Sequence, residues 1–257
     1  MLRTSAAPLT APSCALSRHR LRLSDGGLTT LHVAAYDRAA TSVRVASLGT
    51  PRRLVDWCRD AGVSEAIVGG FFVRPDGAPL GEVRIGGRAL PTLPFEDGWG
   101  DIRACVGVNG DGLRLARRPD FGPEPAGDLL QAGPLLVAGG RAVSDGDTEG
   151  FSAGSGQFDS DITAGRYPRA ALALTTDRIL AVACEGRAEH EAGLTLVELA
   201  NALVELGAHD AINLDGGGST SLVSDVALVN RPREEHGIEL AGGRPVATAL
   251  VFEPRAS

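Results

Sequence analysis

The segment Asn213–Thr220 combines a carboxylate with residue types that bind anions. It reads Asn-Leu-Asp-Gly-Gly-Gly-Ser-Thr and continues the short apolar run Ala211–Leu214. Three successive glycines lose much backbone entropy on folding, and positive φ angles or a close approach of the backbone to a ligand would explain them. Consecutive free N–H groups in such a loop form an anion-binding concavity, to which the hydroxyls of Ser219 and Thr220 add donors. A tight turn or bulge without a ligand is the alternative interpretation.

Two carboxylates and two arginines are candidates for chemistry around this loop. Asp215 stands where the predicted strand ends and the glycine loop begins, a frequent place for a catalytic carboxylate. Glu185 follows the apolar run Ile179–Ala183 and is the best partner, because most glycoside hydrolysis uses two acids. Arg169 and Arg187 carry guanidinium forks that match a phosphate group. The alternatives are a solvated loop carboxylate for Glu185 and surface positions for the two arginines.

A helix is predicted over Leu196–Leu206, before the strand that leads into the glycine loop. Apolar residues recur there at helical spacing, and Thr195 and Glu198 form the T-x-x-E pattern of a capping box. Gly207 is expected to end this helix, so that the next apolar run becomes a buried strand.

A second helix is predicted over Pro51–Ala61, with Thr50 as its N-cap and Gly62 after its last residue. The sequence that follows it, Ala61–Ile67, resembles Leu206–Ile212, and both stretches precede a glycine-rich turn. This similarity predicts two helix–strand–loop units that lie side by side and direct both loops towards one cleft.

The rest of the chain is divided into short apolar runs that favour strands. Strands are predicted over residues 20–23, 28–36, 43–48, 66–68, 82–85, 104–108, 135–138, 211–214 and 246–252. Residues 144–165 predict a long surface loop, either a lid over the site or a loop without catalytic duty. The expected fold is α+β: a single domain over residues 1–257 with mixed β-sheets, a few packed helices and glycine-rich loops at strand ends forming one cleft, and with residues 1–19 as a loosely ordered extension.

Composition argues against several classes of protein. The net charge is −7 and all 25 basic residues are arginine, so neither a basic stripe for duplex nucleic acid nor the lysine of a Walker loop is present. No apolar run approaches the about 18 residues of a membrane helix. Residues 1–8 lack the apolar core of a secretion signal, which predicts a cytoplasmic location. The 4 cysteines and 5 histidines are dispersed, and their spacing indicates neither a zinc site nor a redox motif.

The motifs of the chain resemble, in kind and order, those of the phosphodiester glycosidase family from about Leu31 to Phe252. Asn213–Thr220 is the most specific of them. The others, in chain order, are Val68-Gly69-Gly70-Phe71-Phe72, Gln131-Ala132-Gly133-Pro134-Leu135-Leu136, Tyr167-Pro168-Arg169, Glu185-Gly186-Arg187, Gly193-Leu194-Thr195-Leu196, Asn230-Arg231-Pro232 and Arg244-Pro245-Val246. Three positions depart from the family pattern: Val68 replaces an asparagine, Ala170 a threonine and Glu185 an aspartate.

The resemblance implies cleavage of a sugar-1-phosphodiester at the anomeric carbon, which releases free sugar and a phosphate monoester. It implies Asp215 or Glu185 as the catalytic carboxylate. The substrate-binding residues that it suggests are Arg169, Arg187, Gly216, Gly217, Gly218, Ser219, Thr220, Asn213, Gln131, Gly69 and Gly70. Since a phosphate monoester is a good leaving group, the protein must stabilise the departing anion and needs no strong general acid. No cofactor is expected to be required, and the sequence leaves a divalent cation, the sugar and the oligomeric state open.

Two other functions compete with this hypothesis. A non-catalytic binding protein would use the glycine loop to hold a phosphorylated sugar or a nucleotide, and Val68 favours it by removing a polar group from the expected site. A metal-dependent phosphoesterase would use the acidic residues of the predicted surface loop. These residues are Asp145, Asp147, Asp159 and Asp161, and such acids more often solvate a loop.

Overall fold

The computed structural model describes residues 12–74, 76–95, 98–144, 149, 151 and 165–255. Within them lie two α-helices, α1 (Leu54–Ala61) and α2 (Leu196–Glu205). The strands are β1 (Cys14–Arg22), β2 (Leu28–Asp37), β3 (Thr41–Arg52), β4 (Ala66–Val68), β5 (Phe72–Val73), β6 (Ala78–Pro79), β7 (Val83–Ile85), β8 (Arg88–Ala89), β9 (Ala104–Asn109), β10 (Gly112–Arg117), β11 (Asp128–Gln131), β12 (Leu135–Ala138), β13 (Arg141–Ala142), β14 (Arg169–Leu174), β15 (Arg178–Cys184), β16 (Asp210–Asn213), β17 (Leu222–Ser224), β18 (Ala227–Leu228) and β19 (Val246–Pro254).

These strands form three large sheets and one ribbon. The largest sheet has 7 strands in the order β1-β2-β15-β14-β16-β12-β13. Two sheets of 5 strands have the orders β10-β9-β11-β7-β8 and β18-β17-β4-β19-β3, and β5 pairs with β6. Every pairing between these strands is antiparallel.

The central strands of the seven-stranded sheet are buried on both faces, as β14 shows. Ala170, Leu172 and Leu174 pack into the main core, whereas Ala171 and Ala173 pack into a second cluster on the opposite face. Successive side chains of a strand point to opposite faces, so a strand buried on both sides is apolar throughout. Such a strand shows no alternation in sequence.

The main core joins the seven-stranded sheet to the two five-stranded sheets. It includes the stacked rings of Tyr36 and Phe252, whose centroids are 4.4 Å apart. The other face of the seven-stranded sheet is covered by α2 through Leu196, Leu199 and Leu203. The strands β14 and β16, which flank the glycine loop, therefore lie between the main core on one face of the sheet and the α2 cluster on the other.

The predicted α+β class is wrong, because the fold is all-β with two short helices in the described residues. The local signals for α2 are confirmed: Thr195 Oγ1 accepts the Glu198 N–H at 3.1 Å, and Glu198 Oε2 accepts the Thr195 N–H at 3.0 Å. Helix caps involve residues that are close in sequence, whereas the class depends on strand pairing between distant segments.

The predicted start of the first helix is also wrong. Thr50 and Pro51 belong to β3, and Arg53 is the N-cap of α1. Gly62 ends α1 in the left-handed conformation with φ 68°, as predicted. Because β3 continues its pairing with β19 as far as Arg52, this tertiary contact overrides the local helix signals.

The N-terminal part of the chain forms an edge strand. Residues 14–19, expected in a loosely ordered extension, form the first part of β1 and pair with β2. Residues 1–11 and most of the predicted loop 144–165 lie outside the described residues. No helix within the described ranges is long and apolar enough to cross a membrane.

Candidate active site

A cleft of about 590 Å³ lies beside the ends of β4 and β16 and the start of β14. Its charged lining consists of Arg74, Arg169, Arg187, Arg244, Asp215, Glu234 and Glu235. Aromatic and apolar side chains, among them Phe71, Phe72, Tyr167 and Ile238, complete it. A cleft of this size accommodates a small-molecule ligand.

The two glycine-rich loops predicted from the internal similarity meet at this cleft. Their strands lie in different sheets, since β4 belongs to a five-stranded sheet and β16 to the seven-stranded one. The loops are joined by a hydrogen bond from the Asp215 N–H to the Gly69 carbonyl oxygen at 3.0 Å. Asp215 and Phe71, one from each loop, line the cleft.

The glycine loop needs its glycines for packing and leaves few amides free. A Cβ on Gly216 would lie 2.9 Å from the Pro168 carbonyl oxygen, and Gly217 has φ 59°. The Gly216 N–H donates to Asp215 Oδ1 at 2.9 Å and the Gly217 N–H to the Pro168 carbonyl at 2.8 Å. Gly216 and Gly217 therefore do not supply free N–H groups to the predicted anion-binding concavity, because both amides are bonded within the protein. Gly218 retains an N–H without a partner in the described part of the chain.

Asp215 is the titratable group of the cleft with a strongly perturbed pKa. Its side chain is partly buried. Burial raises the pKa of Asp215 to about 6, and the opposing effects of the Ser219 hydroxyl and the Arg244 charge are smaller. A carboxylate with a pKa near neutrality is suited to accept a proton from water.

Arg187 is directed into the cleft by a strained backbone. Its φ is 58°, a left-handed value that costs energy for a residue with a Cβ. Its Nη1 donates to the Arg233 carbonyl at 3.3 Å and lies 4.0 Å from Glu234 Oε2. The same Nη1 would be 3.4 Å from a Cβ on Gly217, so the guanidinium lies against the glycine loop.

Arg169 lines the cleft but also supports its walls. The side chain is buried, and Nε donates to the Leu194 carbonyl at 3.0 Å and Nη2 to the Gly165 carbonyl at 2.8 Å. The guanidinium carbons of Arg169 and Arg187 each lie 5.3 Å from the centroid of the Tyr167 ring. Tyr167 thus keeps the two cations on the same wall of the cleft.

Glu185 does not line the cleft, contrary to its predicted role beside Asp215. Its carboxylate hydrogen-bonds with His32 Nε2 at 3.1 Å, the Arg231 N–H at 3.0 Å and Arg233 Nη1 at 3.2 Å. Burial alone raises the pKa of Glu185, but the bonds from His32 and Arg231 outweigh it and hold the pKa below the usual value. Glu185 thus ties the segment before Glu234 to the end of β15.

Of the remaining predicted residues of the glycine segment, one lines the cleft and two lie behind its surface. Asn213 lines the cleft, and its Nδ2 donates to the carbonyl oxygens of Gly133 at 3.2 Å and Leu214 at 2.8 Å. Ser219 and Thr220 are fully buried and are not part of the lining. Of these three, Asn213 is the one placed to contact a ligand.

No group of three or more metal-ligating side chains occurs among the described residues. The acidic residues considered for a metal site lie outside those ranges. They are Asp145, Asp147, Asp159 and Asp161.

The phosphodiester glycosidase family model matches residues 61–253. The chain belongs to this family. No curated protein sequence matches the chain.

Several solved structures share the fold, among them the two that follow. The catalytic domain of zebrafish N-acetylglucosamine-1-phosphodiester alpha-N-acetylglucosaminidase, auto-inhibited by pro-peptide, superposes with a TM-score of 0.72 at 18% identity, over 99% of this chain and 86% of that one. A hypothetical protein from Synechocystis gives a TM-score of 0.69 at 20% identity, over 98% of this chain. This chain spans 65% of the Synechocystis protein.

Three residues of the phosphodiester glycosidase motifs serve packing in this structure. A Cβ on Gly69 would lie 2.5 Å from Thr248 Oγ1, and one on Gly70 would lie 2.8 Å from the Gln131 carbonyl. Gln131 accepts the Glu82 N–H at 3.0 Å and lines a different cleft. Gly69, Gly70 and Gln131 therefore do not line the cleft, and Gly69 meets Asp215 through its backbone carbonyl oxygen.

The departures from the family pattern also lie away from the cleft surface. Val68 and Ala170 are fully buried in the main core. The longer side chain of Glu185 reaches the Arg231 backbone N–H and the Arg233 guanidinium through the bonds described above. Val68 itself does not line the cleft, so its position gives no support to the prediction that it removes a polar group from the site.

Glu234 and Arg244 line the cleft, although neither was among the residues predicted to bind substrate. The Arg244 N–H donates to the Gly218 carbonyl at 3.0 Å, which places its guanidinium beside the glycine loop. Arg244 Nε donates to Glu234 Oε1 at 2.8 Å, and Nη2 donates to the same carboxylate. Arg244 lies in a family motif, a signal that could have identified it, whereas Glu234 belongs to none of the motifs.

Proposed function

We propose that this protein hydrolyses the bond between the anomeric carbon and the phosphate oxygen of a sugar-1-phosphodiester. The observation that carries the proposal is the shared cleft of Asp215, whose pKa is raised to about 6, and the two arginines Arg187 and Arg244. A carboxylate that accepts a proton near neutral pH and cations that accept a departing phosphate are the two groups that this reaction needs.

In the proposed reaction the water oxygen attacks the anomeric carbon while Asp215 accepts a proton from that water. The bond between the anomeric carbon and the bridging oxygen breaks, and its electron pair leaves with the phosphate monoester. Arg187 and Arg244 stabilise the charge that develops on this leaving group. The products are the free sugar and the phosphate monoester, and no cofactor takes part.

The experiment that tests this function uses a panel of aryl and alkyl sugar-1-phosphodiesters in H₂¹⁸O. We expect release of free sugar with the ¹⁸O in the sugar. Label in the phosphate would mean cleavage of the P–O bond and would refute glycosidase chemistry.

Asp215→Asn is the matched variant. Loss of a general base lowers rates by about 10²–10⁴-fold, so we expect a loss within that range while circular dichroism shows the wild-type fold. Tight binding of the same compounds by wild-type protein without any turnover is the result expected of the alternative, a non-catalytic phospho-sugar or nucleotide binding protein.

A further inference from the structure

Glu234 lies inside the cleft between the side chains of two arginines, Arg187 and Arg244. Arg244 holds its carboxylate through Nε and Nη2, and Arg187 Nη1 lies 4.0 Å from Oε2. A Cβ on Gly218 would lie 2.9 Å from Glu234 Oε1, so the carboxylate also packs on the glycine loop. The carboxylate of Glu234 therefore occupies the space between the two arginines that are placed to bind phosphate.

The formal charge of the cleft matches a monoanion. Its lining has four arginines and three carboxylates, which leaves +1 when His236 is neutral. The arginines are Arg74, Arg169, Arg187 and Arg244, and the carboxylates are Asp215, Glu234 and Glu235. A phosphodiester carries one negative charge, whereas a phosphate monoester carries close to two at neutral pH, because its second pKa is about 6.

We propose that Glu234 determines which charge state of a phosphate group the cleft accepts, favouring a monoanionic diester over a dianionic monoester. The inference rests on the proposed function, since it concerns the substrate and product of that reaction. Glu234 lies against both arginines, so it repels the second negative charge of a monoester. The diester substrate is bound, and the monoester product is repelled and released.

Two ligands of matched size test the inference by binding alone. Phenyl phosphate is a dianion and methyl phenyl phosphate a monoanion at pH 8, where Asp215 is ionised in every sample. The Kd of each is measured by calorimetry for wild type and for Glu234→Gln, which keeps the side-chain shape and a hydrogen-bond acceptor for Arg244. A partly buried charge within a few ångströms changes affinity by about tenfold per unit of ligand charge.

We therefore expect Glu234→Gln to bind the diester about tenfold and the monoester about 100-fold more tightly than wild type. The preference for the diester then falls about tenfold. Glu239→Gln is the control, because Glu239 is 55% exposed, pairs with Arg233 at 3.6 Å and is not part of the cleft lining. It removes one charge from the same loop and is expected to retain the wild-type preference.

Three results would overturn the inference: an unchanged preference in Glu234→Gln, an equal change in Glu239→Gln, or no binding of either ligand to wild type at millimolar concentration. Loss of turnover in Glu234→Gln with an unchanged preference would instead assign Glu234 to the chemical step and also overturns it. Absence of sugar release by wild type, combined with the expected binding pattern, would reject the proposed hydrolysis and leave the charge selection supported. Thermal unfolding confirms that each variant is folded.

Discussion

Replacement of Asp215 by asparagine is expected to stabilise the protein while it lowers turnover by about 10²–10⁴-fold. The pKa of Asp215 is raised from 3.8 to about 6 because burial disfavours the charged carboxylate. Between these two values the folded state binds more protons than the unfolded state, so stability decreases as pH rises. The loss of stability caused by the buried charge is fully present above the pKa of Asp215 in the folded state and absent below its pKa in the unfolded state. An asparagine has the same shape but no charge, so the variant does not suffer this loss of stability.

The size of this effect follows from the pKa difference. One pKa unit is about 1.4 kcal/mol, so the rise from 3.8 to about 6 corresponds to at most about 3 kcal/mol. Asp215 is partly exposed, and solvent screening reduces the effect to about 1–2 kcal/mol. For a chain of this length, that corresponds to a rise in Tm of about 2–8 °C at pH 8.

Urea unfolding of wild type and Asp215→Asn at pH 3.5, 5, 6.5 and 8 measures this difference directly. We expect nearly equal free energies of unfolding at pH 3.5 and a growing advantage of the variant up to pH 8. A variant that is less stable than wild type at pH 8, or a difference that does not change with pH, would refute the reasoning. The first result would mean that Asp215 is stabilised as a charged group in the folded protein, and the second that its pKa is the same in the folded and unfolded states.

Three further predictions concern the groups around Asp215. The kcat/KM of wild type is expected to rise with pH through about 6 as Asp215 becomes ionised, and a profile flat between pH 5 and 7 would argue against Asp215 as the base. Glu185→Gln is expected to lower the free energy of unfolding by about 1–3 kcal/mol, because it weakens a buried hydrogen-bonded pair, and to reduce kcat less than Asp215→Asn. An equal loss of kcat with unchanged stability would restore a catalytic role for Glu185. Gly69→Ala is expected to cost about 1–3 kcal/mol in urea unfolding, because its Cβ would lie 2.5 Å from Thr248 Oγ1. Gly110→Ala, with nothing within 4 Å of its Cβ, is the control, and equal costs for both would contradict the packing argument.

Several predictions from the sequence concern the location, partners and cofactors of the protein, and they stay predictions. The cytoplasmic location, the absence of a nucleic-acid or membrane partner and the independence from cofactors are among them. The family assignment is confirmed, because the family model covers residues 61–253. The assignment could be predicted from the sequence because the family motifs, and their order along the chain, are visible without a structure.

The sequence by itself determined the features that depend on near neighbours. The capping box of α2, the left-handed Gly62 and the strand before the glycine loop follow from residues within a few positions of one another. The fold class did not follow from such signals. Strands buried on both faces, such as β14, show no alternation, and their pairing joins segments far apart in the chain.

Only the tertiary structure decided which charged groups share the cleft. Glu185 was a reasonable partner for Asp215 in sequence, but the folded chain pairs it with Arg233 and places Glu234 and Arg244 beside the glycine loop instead. The pKa of Asp215 likewise depends on its burial by distant segments. Coulomb and desolvation energies depend on distances in space and on access of water, and neither quantity is encoded in the spacing of residues along the chain.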